Sequence, residues 1–237
     1  MPNTMPIPLL LLPGLLCDAR LWRDCLPPLG DIAAPRVADL AQDDSVAGMA
    51  GRALALMEGE ARFAVAGLSM GGYVALEVWR LAKSRVSHLA LLDTSARPDT
   101  PEQTKRRLDL MALSRRGQFK GVTPRLLPML VHPSRLETPL AAEVTEMAAR
   151  IGQSGFMRQQ QAIMTRVDSR PDLPGISVPT LVACGEADLL TPPDLHDEMA
   201  ALIPGAERVS FAGSGHLPTM EVPEAAGQAL AAWLRRR

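Results

Sequence analysis

A serine flanked by glycines is the part of the sequence best suited to covalent chemistry. Ser69 lies in the run GLSMGG at positions 67–72, where an apolar segment gives way to a helical pattern. A nucleophilic serine on such a strand-to-helix turn has a strained backbone, and glycines two residues before and after it keep side chains out of the turn. The next helix also presents free N–H groups at its N-terminus. The spacing predicts a nucleophile; a turn that only packs a helix closely on a sheet is the alternative.

The serine needs a base, because its neutral hydroxyl is a weak nucleophile, and the chain has four histidines. His216 follows the last predicted strand in a glycine-rich loop, so it reaches the same carboxyl edge of a parallel sheet as the serine. His88 begins an apolar run and would lie roughly 15 Å away, at the opposite edge. His196 falls off the apolar stripe of its helix and is expected in solvent, and His132 could at most line a pocket. His216 is therefore the predicted base.

An acidic partner for the histidine should also follow a strand. Three carboxylates do so: Asp93, Glu186 and Asp188. We favour Asp188, because the chain order nucleophile, acid, histidine is the order expected when a sheet of this kind carries a triad. Asp93 is the rival, since it ends the strand next to the one that precedes Ser69; otherwise it would cap the following segment. Asp188 would hold the His216 ring in one tautomer and stabilise its protonated form.

Alternating strand and helix patterns predict the scaffold that positions these residues. Short apolar runs bounded by glycine or proline predict buried strands, at 9–12, 63–66, 89–92, 180–183 and 208–211 and more weakly at 32–37. Helical patterns intervene at 45–57, 70–82 and 192–203, and another follows the last strand, with Trp233 on its apolar stripe. This alternation is typical of an α/β fold with a mostly parallel sheet covered on both faces.

The alternation stops between residues 97 and 175. Helical patterns follow one another there without strands, at 105–113, 122–130, 140–151 and 156–167. We therefore predict a core at 1–96 and 176–237 and an inserted all-helical cap (lid) at 97–175. The cap holds 13 basic and 8 acidic side chains, a net +5, whereas the remainder holds 12 and 18, a net −6. A positive cap could attract an anionic substrate or an acidic carrier protein, or be an ordinary solvated face; the charge alone leaves both open.

Composition excludes several classes of function. The 237 residues are 47% apolar and 22% charged, which is typical of a globular domain and not of a disordered chain. A net charge of −1 and only eight aromatic residues leave neither a positive field nor stacking surfaces for nucleic acid. The histidines have no metal-ligand spacing and no nucleotide-binding glycine motif is present, so neither a metal nor a cofactor is expected.

Cysteine usage and the N-terminal segment bear on the compartment. The three cysteines, Cys17, Cys25 and Cys184, are widely spaced and form no CxxC pair. A disulfide framework is therefore not expected, and a cytoplasmic location is the simpler setting. The apolar run at 7–16 is interrupted by two prolines, follows no Lys or Arg, and is too short to span a membrane. We interpret it as a buried strand.

Three motifs, taken in their order along the chain, resemble those of the α/β-hydrolase superfamily. They are the GLSMGG turn, Gly185-Glu186-Ala187-Asp188 with Thr191-Pro192, and Gly215-His216 with Glu221 and Pro223 beyond. The resemblance covers nearly the whole chain outside 97–175 and is closest to the small capped carboxylesterases, enol-lactonases and acyl-carrier-protein methyl ester esterases. It implies an α/β-hydrolase fold with a helical cap. The family's first β-hairpin is expected to be missing, because the opening strand begins within ten residues of Met1.

The resemblance also implies an oxyanion hole made of two backbone N–H groups. By position these belong to Met70, which follows the nucleophile, and to Leu15, which follows the first strand. The family usually has His-Gly before the second donor, whereas this chain has Pro13-Gly14. A backbone donor survives that change, although the loop could be reshaped. A serine instead of an aspartate at the nucleophile position argues against haloalkane dehalogenase or epoxide hydrolase chemistry.

These features predict a serine hydrolase that cleaves a carboxylic ester through an acyl-enzyme. Lactone, thioester or C–C bond hydrolysis and perhydrolysis would use the same triad, and a ligand-binding protein without turnover is a further alternative. Leu16, Leu189 and Leu217 flank the catalytic elements and are expected to line an apolar substrate pocket. The expected partner is a small-molecule ester, for which an anionic group or a carrier-protein link stays an open alternative, bound by a monomer or homodimer that contacts neither nucleic acid nor membrane.

Overall fold

Six parallel strands form one sheet through the middle of the protein. The computed structural model describes residues 5–236, and its strands are β1 (Ile7–Leu12), β2 (Ala33–Val37), β3 (Phe63–Leu68), β4 (Val86–Leu92), β5 (Thr180–Gly185) and β6 (Glu207–Phe211). Their order across the sheet is β2-β1-β3-β4-β5-β6, and the neighbouring strands are parallel. The predicted α/β class with a parallel sheet is confirmed.

Helices cover both faces of this sheet. The α-helices are α1 (Arg20–Arg23), α2 (Val46–Ala55), α3 (Met70–Leu81), α4 (Pro101–Leu113), α5 (Leu127–Leu130), α6 (Pro139–Met164), α7 (Pro193–Leu202), α8 (Pro218–Glu221) and α9 (Pro223–Leu234). Apolar side chains of α1 and α9 join one core, and those of α2, α3 and α7 join the other. The sheet is therefore covered on both faces, as the alternating pattern predicted.

The strand β1 shows why an uninterrupted apolar run forms a strand here. Leu9 and Leu11 pack into one core, Leu10 and Leu12 pack into the other, and all four are 0% exposed. Successive strand side chains point to opposite faces, so a strand buried on both sides must be apolar at every position. Burial of each leucine side chain contributes about 1.5–3 kcal/mol.

The chain between β4 and β5 is helical and contains no strand over residues 93–179. The patterns at 140–151 and 156–167 correspond to two halves of α6, which Gly152 interrupts with φ 69° and ψ −179°. The expected helix at 122–130 is wrong over most of its length, since only Leu127–Leu130 is helical. The division into a core and a cap at 97–175 stays a prediction. Among the described residues, no helix combines the length and apolarity needed to cross a membrane.

Candidate active site

Ser69 occupies the turn between β3 and α3 in a strained conformation. Its φ and ψ are 56° and −119°, which a residue with a side chain adopts at a cost of about 1–3 kcal/mol. The flanking glycines let the turn form. A Cβ on Gly67 would lie 2.1 Å from the Gly71 carbonyl oxygen, and a Cβ on Gly71 would lie 1.9 Å from the Leu12 carbonyl oxygen. The glycine spacing therefore reflects direct backbone contact between α3 and the strands beneath it.

The structure brings His216 and Asp188 to Ser69. Ser69 Oγ lies 2.9 Å from His216 Nε2, and His216 Nδ1 lies 2.8 Å from Asp188 Oδ2. A neutral histidine with its proton on Nδ1 donates to Asp188 and accepts from the serine hydroxyl. His216 is 3% exposed and Asp188 is 2% exposed. This arrangement can take a proton from Ser69 as its oxygen attacks a carbonyl carbon.

Asp188 is held as an anion by the groups around it. Besides the histidine, it accepts hydrogen bonds from Leu190 N–H at 2.8 Å, Thr191 N–H at 3.1 Å and Thr191 Oγ1–H at 2.6 Å. Burial alone would raise the pKa of Asp188, but the charge and hydrogen bond of His216 and the hydrogen bonds of Thr191 outweigh it and hold that pKa well below its ordinary value. An ionised Asp188 can fix the His216 tautomer and stabilise the protonated ring.

Glu221 fixes the loop that carries the histidine. This carboxylate is 2% exposed, and its Oε1 accepts from Gly215 N–H and Leu217 N–H, both at 3.0 Å. Its Oε2 accepts from His132 N–H at 2.6 Å. His216 is anchored through its own backbone N–H, which donates to the Leu130 carbonyl at 3.0 Å. The loop is therefore tied on both sides of the histidine, and part of that support comes from the segment between β4 and β5.

Asp93 is a second buried acid beside the triad. It follows β4 with φ 42°, is 0% exposed, and its Oδ1 accepts from Gly185 N–H at 2.8 Å. Its Oδ2 is buried without a hydrogen-bond partner in residues 5–236. Burial and the neighbouring Asp188 charge raise the pKa of Asp93 well above its ordinary value. Asp93 is therefore the neutral acid of the pair, and Asp188 is the one that contacts His216.

Asp93, Asp188 and His216 are also the side chains that could together hold a metal ion. One ligand atom from each of Asp93, Asp188 and His216 lies within 4.8 Å of the others. Two of these groups are already joined by the hydrogen bond between His216 and Asp188. The geometry is thus that of a histidine oriented by a carboxylate, with a neutral acid behind it.

The expectation that His196 is solvated is wrong. The side chain is 0% exposed, and its Nε2 accepts a hydrogen bond from Thr94 N–H at 2.9 Å. Burial lowers the pKa of His196 to about 4, so the ring is neutral. His196 lies on α7 and supplies an acceptor to a buried amide just beyond β4. His88 lies near the start of β4, as predicted, with its Nε2 3.0 Å from the Arg236 carbonyl oxygen.

The loop after β1 lies directly against the serine. A Cβ on Gly14 would be 3.3 Å from Ser69 Cβ, so a side chain at position 14 would crowd the serine. Gly14 C=O accepts from Cys17 N–H at 3.1 Å, which closes a turn with Leu15 and Leu16 at its centre. Leu15 N–H makes no hydrogen bond to another described residue. Met70 begins α3, and the N–H of a first helical residue has no intrahelical partner. Both N–H groups named as oxyanion donors are therefore available as donors.

The three leucines expected to line a pocket have different surroundings. Leu16 is 5% exposed and Leu217 is 2% exposed, and both belong to the apolar core on one face of the sheet. Leu189 is 60% exposed, so it faces solvent although it adjoins Asp188 in the chain. Sequence proximity to the acid did not reveal the direction of this side chain.

Sequence reasoning missed Gln159 at this site. Gln159 lies on α6, is 0% exposed, and its Oε1 accepts from Leu16 N–H at 3.0 Å. A signal was present, because Gln159 stands three residues after Phe156 and four before Ile163, on the apolar stripe of its helix. A polar side chain at a core position needs a buried partner.

Comparisons with known proteins agree with this architecture. The profile of a family described as the alpha/beta hydrolase fold matches residues 35–223. A pimeloyl-[acyl-carrier protein] methyl ester esterase of Nitrosomonas europaea is 30% identical over 173 residues, which are 69% of this chain and 68% of that protein.

Solved structures agree as well. A thermophilic esterase from Thermogutta terrifontis superposes with a TM-score of 0.88 at 30% identity, over 98% of this chain and 90% of that one. The enol-lactonase from Burkholderia xenovorans LB400 also gives 0.88, at 24% identity, over 100% of this chain and 94% of that one. At that identity the second likeness shows the fold alone. The profile match and the 30% identical relative show that this chain belongs to the α/β-hydrolase family.

Proposed function

We propose that the protein is a serine hydrolase that cleaves a carboxylic ester through an acyl-enzyme. The observation that carries the proposal is the unbroken hydrogen-bond path from Ser69 through His216 to Asp188, with separations of 2.9 Å and 2.8 Å. The strained turn that presents the serine and the two available backbone donors beside it support the same chemistry. Similarity to two proteins named as esterases supports the choice of bond.

The reaction follows from the roles of these groups. Ser69 Oγ attacks the ester carbonyl carbon while its proton moves to His216 Nε2, and Asp188 stabilises the resulting imidazolium. Leu15 and Met70 donate N–H groups to the oxyanion. Collapse of the intermediate expels the alcohol, which takes the proton from the histidine and leaves the acyl group on the serine. Water then gives a proton to the histidine and attacks the acyl-enzyme, and collapse releases the acid and restores the serine.

Hydrolysis of p-nitrophenyl acetate and its longer-chain homologues tests the reaction. We expect turnover by the wild-type protein and a loss of roughly 10³-fold or more in kcat for Ser69→Ala. Ser210→Ala is the matched control, because Ser210 lies on the edge strand β6 and is exposed. Full activity of Ser69→Ala, or equal losses in the two variants, would contradict the proposal. The series of acyl chain lengths also ranks the acyl groups that the site accepts.

A specific observation favours an anionic or carrier-linked ester among the candidate substrates. Within residues 5–236, six of the 13 basic side chains of 97–175 form ion pairs, among them Arg107 and Arg166 with Asp99. Five others are exposed and form no ion pair within residues 5–236, namely Arg106, Arg115, Arg116, Lys120 and Arg125. We propose that this free basic surface, on a segment acting as a cap, attracts negatively charged substrates.

Salt dependence tests the attraction. The ratio of kcat/KM for a carboxylate-bearing ester to that for a neutral ester of equal length should fall as salt rises from 0.01 to roughly 0.15 M, because screening weakens long-range attraction. Arg115→Glu with Arg116→Glu should lower that ratio at low salt. Arg170→Gln is the control, because Arg170 is already paired with Asp168. A ratio that is independent of salt in every variant would show that the surface is only a solvated face.

A further inference from the structure

The side-chain amide of Gln159, on α6, contacts two loops at the edge of the sheet, the one after β1 and the one after β2. Its Oε1 accepts from Leu16 N–H at 3.0 Å and its Nε2 donates to the Leu40 carbonyl at 3.3 Å. The side chain is 0% exposed. Because one end of the amide meets a donor and the other meets an acceptor, its orientation is fixed; a flipped amide would place donor against donor.

The Leu16 N–H, which donates to Gln159, lies at the centre of the turn after β1. Gly14 C=O is bonded to Cys17 N–H, Leu16 has φ 60°, and Leu15 has no positive φ. This combination is the type II turn, which normally has glycine at its third position. A leucine there favours the type I turn, in which its φ is negative and the central peptide is rotated by about half a turn. The strained form therefore needs a partner for the rotated peptide, and Gln159 supplies it.

The shape of this turn matters because it also carries a proposed oxyanion donor. Leu15 N–H belongs to the peptide unit immediately before the one that Gln159 binds, so rotation of the central peptide changes the dihedral angles beside it. Gly14, the first residue of the turn, lies beside Ser69, since a Cβ on it would be 3.3 Å from Ser69 Cβ, so a change in the turn occurs next to the nucleophile. An oxyanion donor is effective only when it points at the developing charge.

The half of α6 after Gly152 is seated on the sheet by further contacts to the loop after β2. Arg158 Nε donates to the Ala41 carbonyl at 2.7 Å. Ala162 and Ile163 pack into the core that also holds α2 and α3. Gln159 is thus part of a docked helix and not of a free surface.

We propose that Gln159 is a positioning residue that holds the 14–17 turn in the form that aims Leu15 N–H at the oxyanion. The oxyanion hole is then complete only while the second half of α6 is docked on the sheet. This inference rests on the proposed serine hydrolase and deepens it, since it makes a residue of the predicted cap necessary for transition-state stabilisation.

Two substitutions at one position and one at its neighbour test the inference. Gln159→Met keeps the length of the side chain and removes the acceptor, whereas Gln159→Glu keeps an oxygen acceptor for Leu16 N–H. Gln160→Met is the matched control, because Gln160 is 2% exposed and its Oε1 accepts from Arg107 Nη1 at 2.8 Å, away from the turn. The same chemical change is thus made one residue along the same helix.

We expect Gln159→Met to lower kcat by roughly 10- to 100-fold, which approaches the effect of losing an oxyanion donor. KM should change little, because ground-state binding does not use this donor. The inhibition constant of a trifluoromethyl ketone, whose adduct places an oxyanion in the hole, should rise in parallel with the loss in kcat/KM. Gln159→Glu keeps the acceptor for Leu16 N–H but loses the donor to the Leu40 carbonyl, so it should retain more activity than Gln159→Met. Gln160→Met should match the wild-type protein. Wild-type kcat in Gln159→Met, or equal losses in Gln159→Met and Gln160→Met, would overturn the inference.

Amide hydrogen exchange at Leu16 separates this inference from the proposed function. The Leu16 N–H should be protected in the wild-type protein and in Gln160→Met, and exchange faster in Gln159→Met. If the wild-type protein hydrolyses esters but Leu16 exchange and kcat are unchanged in Gln159→Met, the inference alone fails. If the wild-type protein hydrolyses no ester and Ser69 reacts with no fluorophosphonate, the proposed function fails and this inference fails with it.

Discussion

The substitution Asp93→Asn replaces the buried neutral acid beside the triad. It should make the folded protein more stable than the wild-type protein, by an amount that grows with pH. Asparagine keeps the one hydrogen bond that the acid makes within residues 5–236, because its Oδ1 can accept from Gly185 N–H. It has no proton to lose.

The magnitude follows from proton linkage. Burial and the nearby Asp188 raise the folded-state pKa of Asp93, whereas the unfolded value is about 3.9. Between these two values the folded protein holds one proton that the unfolded chain has released. Stability of the wild-type protein therefore falls by about 1.4 kcal/mol for each pH unit in that window. Asp188 is ionised in both proteins above pH ~5, so its contribution cancels in the difference.

Urea denaturation of both proteins at pH 5, 6, 7 and 8 measures the effect. The free energy of unfolding of Asp93→Asn minus that of the wild-type protein should rise by about 1.4 kcal/mol per pH unit until the folded-state pKa is reached, then stay constant. A constant offset from altered packing does not change that slope. A difference that is flat from pH 5 upward would show that Asp93 is ionised in the folded protein and refute the assignment.

Catalysis distinguishes the two acids in the same experiment. Asp93→Asn should retain most of the esterase activity, because the hydrogen bond to His216 Nδ1 comes from Asp188. Asp188→Asn should lose about 10⁴-fold in kcat, because an amide favours the wrong histidine tautomer. The reverse order of the two losses would show that Asp93 is the acid of the triad.

Other substitutions test the buried polar contacts and the close backbone approaches. Because the pKa of His196 is lowered to about 4, this histidine alone costs the wild-type protein about 3 kcal/mol of stability as pH falls from 6.5 to 4. His196→Gln keeps an acceptor for Thr94 N–H and lacks that contribution, whereas the contribution of Asp93 is common to both proteins. In urea titrations the free energy of unfolding of His196→Gln minus that of the wild-type protein should therefore rise by about 3 kcal/mol over this fall in pH. The close backbone approaches give a second test: in Gly185→Ala the new Cβ would lie 1.8 Å from the Gly215 carbonyl oxygen. This variant should lose about 1–3 kcal/mol or more of stability, together with esterase activity. Gly51→Ala, inside α2 with nothing within 4 Å of the new Cβ, should instead gain about 0.5–1 kcal/mol; a gain in both alanine variants would contradict the close packing.

The sheet and the path from serine to histidine could be predicted because their signals are local. A strand buried on both faces is apolar at every position, as in β1. The turn at Ser69 needs glycines at fixed offsets, which any folded form of that turn requires. The parallel sheet then places the ends of β3, β5 and β6 at one edge, so residues far apart in the chain could be expected to meet.

Contacts that depend on how separate elements pack could not be predicted. The helical pattern of α7 showed His196 off the apolar stripe, but not that its Nε2 accepts from Thr94 N–H beyond β4. Leu189 adjoins the acid in the chain and still faces solvent, because adjacency does not fix side-chain direction. The hydrogen bond between Gln159 and Leu16 joins residues 143 positions apart.

Covalent labelling of the serine tests the central claim most directly. The wild-type protein, Ser69→Ala and Ser210→Ala are each treated with a fluorophosphonate, digested and mapped by mass spectrometry. The proposed mechanism predicts one stoichiometric adduct on Ser69 in the wild-type protein and in Ser210→Ala, and none in Ser69→Ala. Wild-type protein that hydrolyses esters without an adduct on Ser69, or an adduct on another residue that tracks the loss of activity, would contradict it.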